Sequence, residues 1–158
     1  MEIPRQSESA SRKSTLPTNA TIEASHFLLG SNGVHIQDLT LLHPQPVQMF
    51  RLWQTFLDNV NPLSKVVHAP TTQLQVLDAT TNLENIPATT EALLFAIYTS
   101  AICSLTNEEC EAMMGEPKSS LLPKYLAAVK QALCAVGFIK CSDLVVLQAL
   151  VLLLVRNH

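Results

Sequence analysis

From Leu41 onward the apolar positions recur at three- and four-residue steps, and no stretch alternates as a half-buried strand flanked by hairpin turns would. The pattern predicts an all-α chain, an array of about six helices. Val47, Phe50, Trp53, Leu57 and Val60 mark one helix over about residues 45–60. Met49, Leu52 and Phe56 widen its stripe, so it should be contacted on two sides. Pro46 suits its first turn and Asn61-Pro62 forces its exit. A shorter helix follows Pro70, with Leu74, Val76, Leu77 and Ala79 expected inside and Thr80–Asn82 as its end.

The third helix, from near Pro87 to Ser104, has almost no polar face and belongs at the centre. Ala92, Ala96 and Ser100 recur every four residues and allow a neighbouring helix to come close. Thr106 and Glu109 form a capping box, each satisfying the other's free amide, and Gly115 with Pro117 closes the helix they open. A fifth helix over about 119–136 should bury Leu122, Leu126, Val129, Leu133 and Val136 and expose Lys124, Lys130 and Gln131. Gly137 stops it, with Phe138 and Ile139 packing back. Ser142 and Asp143 then cap a sixth helix that is apolar all round through Val155.

Residues 1–40 carry no sustained periodicity and are rich in Ser, Thr and Asn, which predicts a flexible polar arm before a helical region at 41–158. The chain has 158 residues, of which 47% are apolar and only 15% charged, against about 25% in ordinary domains. Such a composition reads as interior cut from something larger, an incomplete helical domain. With 10 basic and 13 acidic residues the net charge is −3, which offers no attraction for phosphate.

The N-terminal MEIPRQSESASRKST has no apolar core of a secretory signal, so a cytosolic or nuclear location is expected. The apolar run Leu144–Val155 would span roughly 18 Å as a helix, short of a hydrocarbon core of about 30 Å. No membrane partner is expected. The Asn19-Ala20-Thr21 acceptor sequence should therefore stay unglycosylated, and Arg12-Lys13 alone is too short for an import signal.

Candidate chemistry is sparse. Cys103, Cys110, Cys134 and Cys141 form two pairs with six intervening residues, whereas a local zinc site begins with ligands two to four residues apart. They read as free thiols. His43 before Pro44 and His68 before Ala69-Pro70 lack a second ligand at helical spacing and read as hydrogen-bonded turn histidines. Glu108, Glu109 and Glu111 lack the alternating ligands and glycine of a calcium loop. No nucleophile elbow, zinc-protease, P-loop or dinucleotide motif occurs. The sequence therefore assigns no catalytic, cofactor-binding or metal-binding residue.

Five segments carry a resemblance: LHPQPVQMFRLWQTFLDNVN (Leu42 to Asn61), KVVHAPT (Lys65 to Thr71), EALLFAIYTSAICSL (Glu91 to Leu105), ECEAMMGEPK (Glu109 to Lys118) and SDLVVLQALVLLLVR (Ser142 to Arg156). In one collinear register they resemble the fungal-specific transcription factor regulatory domain, the helical middle region of zinc binuclear cluster activators of the xylanolytic type, over its N-terminal half. The resemblance implies a non-enzymatic regulator of transcription in the nucleus. Zinc and DNA binding would reside in a cysteine-rich module whose residues are not in this chain. A free-standing helical fragment that modulates a full-length regulator, or a truncated product without function, is the alternative. The expected partners are proteins, or a second copy, meeting Leu144, Leu147, Leu150, Val151, Leu154 and Val155 of the last helix.

Overall fold

The computed structural model describes Asp38–Gly137 together with Gln148, Ala149, Val151 and Leu152. The expected polar arm, the Phe138–Ile139 contact and most of the sixth helix lie outside the described residues. Within them the chain is all-α: seven α-helices, a 3-10 turn and no strand. They are α1 (Leu39–Leu42), α2 (Pro46–Asn59), α3 (Asn61–Ser64), α4 (Ala69–Thr81), α5 (Ala88–Ser104), α6 (Asn107–Met114) and α7 (Lys118–Ala135), with the 3-10 turn at Leu83–Asn85.

Helix α5 is the axis. Every residue from Ala92 to Ile102 is buried, so the helix has no solvent face. Its longest contact is with α7 and the next with α2. The small side chains of Ala92, Ala96 and Ser100 all lie in the interior, as their spacing predicts. Thr99 and Ser100 donate back to the Phe95 and Ala96 carbonyls at 2.7 and 2.8 Å, which satisfies hydroxyls that water cannot reach. At the far end, Lys118 Nζ donates to the Cys103 and Leu105 carbonyls at 2.8 Å each. An ammonium there completes orphan acceptors and sits at the negative pole of the helix.

Helix α2 presents Met49, Leu52, Trp53 and Phe56 to the core, and the Trp53 ring stacks on Phe56 at 5.8 Å. Of the stripe expected to lead, Trp53 is buried, Leu57 and Val60 are partly buried against the core, and Val47 and Phe50 are exposed. Both stripes satisfy the helical period, and α5 meets the one that carries the bulk closest to the middle of the helix. On α4 the buried face is Thr72, Val76 and Ala79, not the predicted leucines. Leu74 is 68% and Leu77 49% exposed. The helix packs mainly on α2, and one-sided contact through small side chains leaves the leucines around the turn in solvent.

On α7 the inner face is Leu121, Tyr125, Ala128, Val129, Ala132 and Leu133. Leu122, Leu126 and Val136, expected inside, are only partly buried, while Lys124, Lys130 and Gln131, expected outside, are also half-covered. The face is turned because Tyr125 and two alanines fit α5 more closely than leucines would. The capping box of α6 is present, with Thr106 Oγ1 accepting from the Glu109 amide at 3.2 Å and the Glu109 carboxylate accepting from the Thr106 amide at 2.8 Å. Gly115 ends α6 with φ 77°. Two short helices, α1 and α3, are too brief to leave a periodic signal.

Candidate functional site

A polar seam lies where the α1–α2 joint crosses α5 and α7. His43, in the residues between α1 and α2, has a fully buried side chain. Its ring lies 4.4 Å from that of Phe95 and edge-on to Tyr98 at 5.9 Å. Nε2 is 3.1 Å from Glu91 Oε1 and Nδ1 is 3.4 Å from the Tyr98 hydroxyl. A carboxylate only accepts, so the proton on that contact belongs to Nε2, which leaves Nδ1 of the neutral ring to accept from Tyr98. Glu91 stands in the first turn of α5, where the helix dipole favours an anion.

Tyr98 and Tyr125 face each other edge-on at 6.0 Å, with Phe95 5.7 and 6.2 Å away. Burial holds the Tyr98 hydroxyl well above the ordinary phenol range, reinforced by Tyr125 and by the Glu91 charge. Burial also pushes Tyr125 up to about 12, with Glu116 adding to it. Toward the surface, Lys124 Nζ pairs with Glu116 at 3.0 Å and lies 5.4 Å from the Tyr125 ring centre. Hydrogen bonds from Lys124 and Ser120 hold the Glu116 carboxyl below its usual range.

The seam resembles an oriented histidine of an acid–base site, but both imidazole nitrogens are committed to protein groups. A reacting base needs a free lone pair within reach of a substrate. The arrangement fastens α1 to α5, as a hydrogen-bonded turn histidine does. His68, the other turn histidine, is exposed and only meets Thr71 Oγ1 at 2.8 Å. Glu108 and Glu109 lie exposed in the first turn of α6, and Glu111 is exposed in the turn that follows. Cys103, Cys110 and Cys134 are thiols with no disulfide among them, and burial raises the Cys110 thiol. No three His, Cys, Asp or Glu side chains converge as metal ligands would among the described residues. Sequence reasoning missed Glu91, Tyr98, Tyr125 and Lys118. Polar tips inside otherwise apolar helices were the available signal for the tyrosines.

The surface holds the other feature suited to a partner. Val47, Phe50, Arg51, Trp53, Gln54 and Leu57 of α2 with Gln73 of α4 line an open groove of about 460 Å³. Leu74 and Leu77 are exposed on the same α4. Among the helical residues described beyond α7, Ala149 and Leu152 are buried and Val151 is 39% exposed. Leu144, Leu147, Leu150, Leu154 and Val155 lie outside the described residues. No described helix is long and apolar enough to cross a membrane.

No family model and no solved structure matches the chain. It is 45% identical over 130 residues to the transcriptional regulator AacuB of Aspergillus aculeatus, covering 82% of this chain and 18% of that protein. It is 47% identical over 115 residues to the transcriptional regulator nsrM of Aspergillus novofumigatus, 73% of this chain and 15% of that one. The C6 finger domain transcription factor adaR of Aspergillus niger is 31% identical over 153 residues, 95% of this chain and 19% of its own length. The chain thus spans less than a fifth of the length of the curated relatives it matches. By sequence the chain is a homologue of fungal transcription factors.

Proposed function

We propose that this chain is the N-terminal half of the helical regulatory domain of a fungal zinc-cluster-type transcription factor, acting in the nucleus through protein contacts and not as an enzyme. The observation that carries the reading is the 45% identity to AacuB over 130 residues, most of this chain. The helical order agrees with it, since the first four segments of the resemblance fall on α2, the α3–α4 joint, α5 and α6. Zinc and DNA binding are assigned to the cysteine-rich module of such factors. The four cysteines here are too widely spaced for it. Contacts would run through the exposed apolar residues of α2 and α4.

The test is a graft. In a full-length fungal activator related to this chain, the homologous segment is replaced by residues 38–158 and a reporter gene is measured. Output within a few-fold of the parent supports the reading. A chimera that is expressed, nuclear and bound to its promoter yet gives no regulated output would refute it.

A further inference from the structure

A cavity of about 200 Å³ opens where α1, the start of α2, the end of α6 and α7 meet. It is smaller than drug-sized sites, which run from roughly 300 to 1,000 Å³, so it suits a single ring or a short chain. Leu42, Met114 and Leu121 supply apolar wall, and Gln48, Glu116, Lys124 and Tyr125 bring polar ends to the same space. The Lys124 and Glu116 side chains are 35% and 44% exposed, so a molecule in the cavity can reach both.

The polar ends are mostly donors. Gln48 Oε1 accepts from the Gln45 amide at 3.1 Å, so the Nε2 hydrogens of Gln48 are not spent on the cap. Lys124 Nζ carries three hydrogens and gives one to Glu116 Oε1 at 3.0 Å. Tyr125 adds a hydroxyl. Gln45 and Gln48 stand at the N-cap and third position of α2, the pole of a helix that favours an anion. A carboxylate already rests on the ammonium, that of Glu116 between α6 and α7, with Ser120 Oγ donating to its other oxygen at 3.0 Å. An ion pair so exposed is worth little, which lets a carboxylate of better fit replace it. We infer that this cavity binds a small monocarboxylate, whose oxygens take the Lys124 ammonium and the Gln48 amide group while its ring or short chain covers Leu121 and Met114. Binding here goes beyond the regulatory reading and is measured without reference to transcription.

The probe is sodium benzoate, with benzamide as the neutral counterpart of the same shape, titrated into the full chain by calorimetry. Benzoate should bind saturably, one to one, and about tenfold more tightly than benzamide, because hydrogen bonds to a charged group are the stronger ones. Lys124→Met should bring benzoate down to the affinity of benzamide while thermal melting reports an intact fold. Glu116→Gln removes the competing carboxylate and should tighten benzoate about two- to fivefold, the worth of a part-exposed ion pair. Independently, saturating benzoate should slow acetylation of Lys124 by acetic anhydride in proportion to occupancy and leave exposed Lys65 unchanged, read by peptide mass spectrometry. Equal affinity for benzoate and benzamide, no saturable binding of benzoate, a weaker complex with Glu116→Gln, or bound benzoate that leaves Lys124 acetylation unchanged overturns the proposal.

Discussion

Helices α4 and α5 are both rich in leucine, threonine and alanine, yet one lies on the surface and the other forms the axis. In α5 the apolar residues close the whole circumference, so α2 and α7 pack against it from different sides and nothing from Ala92 to Ile102 reaches solvent. In α4 they are spread around the helix without a dominant face, and only Thr72, Val76 and Ala79 are buried. Apolar content and number of partners change together: α5 is apolar over most of its length and meets α2 and α7, whereas α4 is more polar and packs mainly on α2. The centre is built for cohesion, while the exposed leucines at the periphery remain for contact.

The largest expected effect comes from cutting into the centre. Trp53→Ala should lower stability by about 3 to 5 kcal/mol, the cost of removing a buried aromatic side chain and leaving a cavity. Chemical denaturation measures it, and tryptophan emission of the parent should lie well to the blue of the hydrated position. An unchanged unfolding midpoint would place Trp53, and α2 with it, in the periphery.

Next in size is the seam. His43→Ala deletes a fully buried imidazole and strips Glu91 and Tyr98 of their partner, which should cost about 1 to 3 kcal/mol. His43→Gln, which keeps a donor and an acceptor, should recover part of that loss. Equal stability of all three proteins would show that the contacts are incidental to the fold.

Tyr98 and Tyr125 are the chain's two tyrosines, and burial raises both hydroxyls. Each folded-state value stands above the unfolded one near 10, so the stability they contribute is full below that pH and is lost as pH rises beyond it, for Tyr125 through about 12. Absorbance at 295 nm should therefore show neither tyrosine ionising near pH 10 while the fold persists, followed by cooperative alkaline unfolding. A smooth ordinary titration of both phenols in folded protein would put the seam in solvent.

The smallest effect belongs to α4. Leu74→Glu and Leu77→Glu should each change stability by no more than about 0.5 kcal/mol, as surface substitutions do. A loss of several kcal/mol from either would mean that α4 is core.

Legibility in the sequence followed the same division. The central position of α5 could be read because an unbroken apolar surface admits one explanation. The α6 capping box, the Gly115 stop and the proline entries were equally readable, being set by local backbone chemistry. The buried face of α2, α4 and α7 could not be read in full, because two stripes on each satisfy the same helical period and tertiary fit chooses between them. On α7 the choice fell to Tyr125, Ala128 and Ala132, whose sizes suit close approach to α5. The seam was hidden for a further reason: His43 lies 48 residues from Glu91 and 55 from Tyr98, a separation no local pattern records. The homology, by contrast, was carried by whole motifs and did not depend on which face was buried.

Native-state hydrogen exchange resolved by helix tests the division of centre and periphery most directly. Amides from Ala92 to Ile102 should exchange only through global unfolding, with a denaturant dependence equal to that of the whole molecule. Amides of α4 should exchange through local opening, at least tenfold faster and with a much smaller denaturant dependence. Uniform protection across α4 and α5 would contradict the account, because it would make the exposed leucine helix as much a part of the cooperative core as the axis itself.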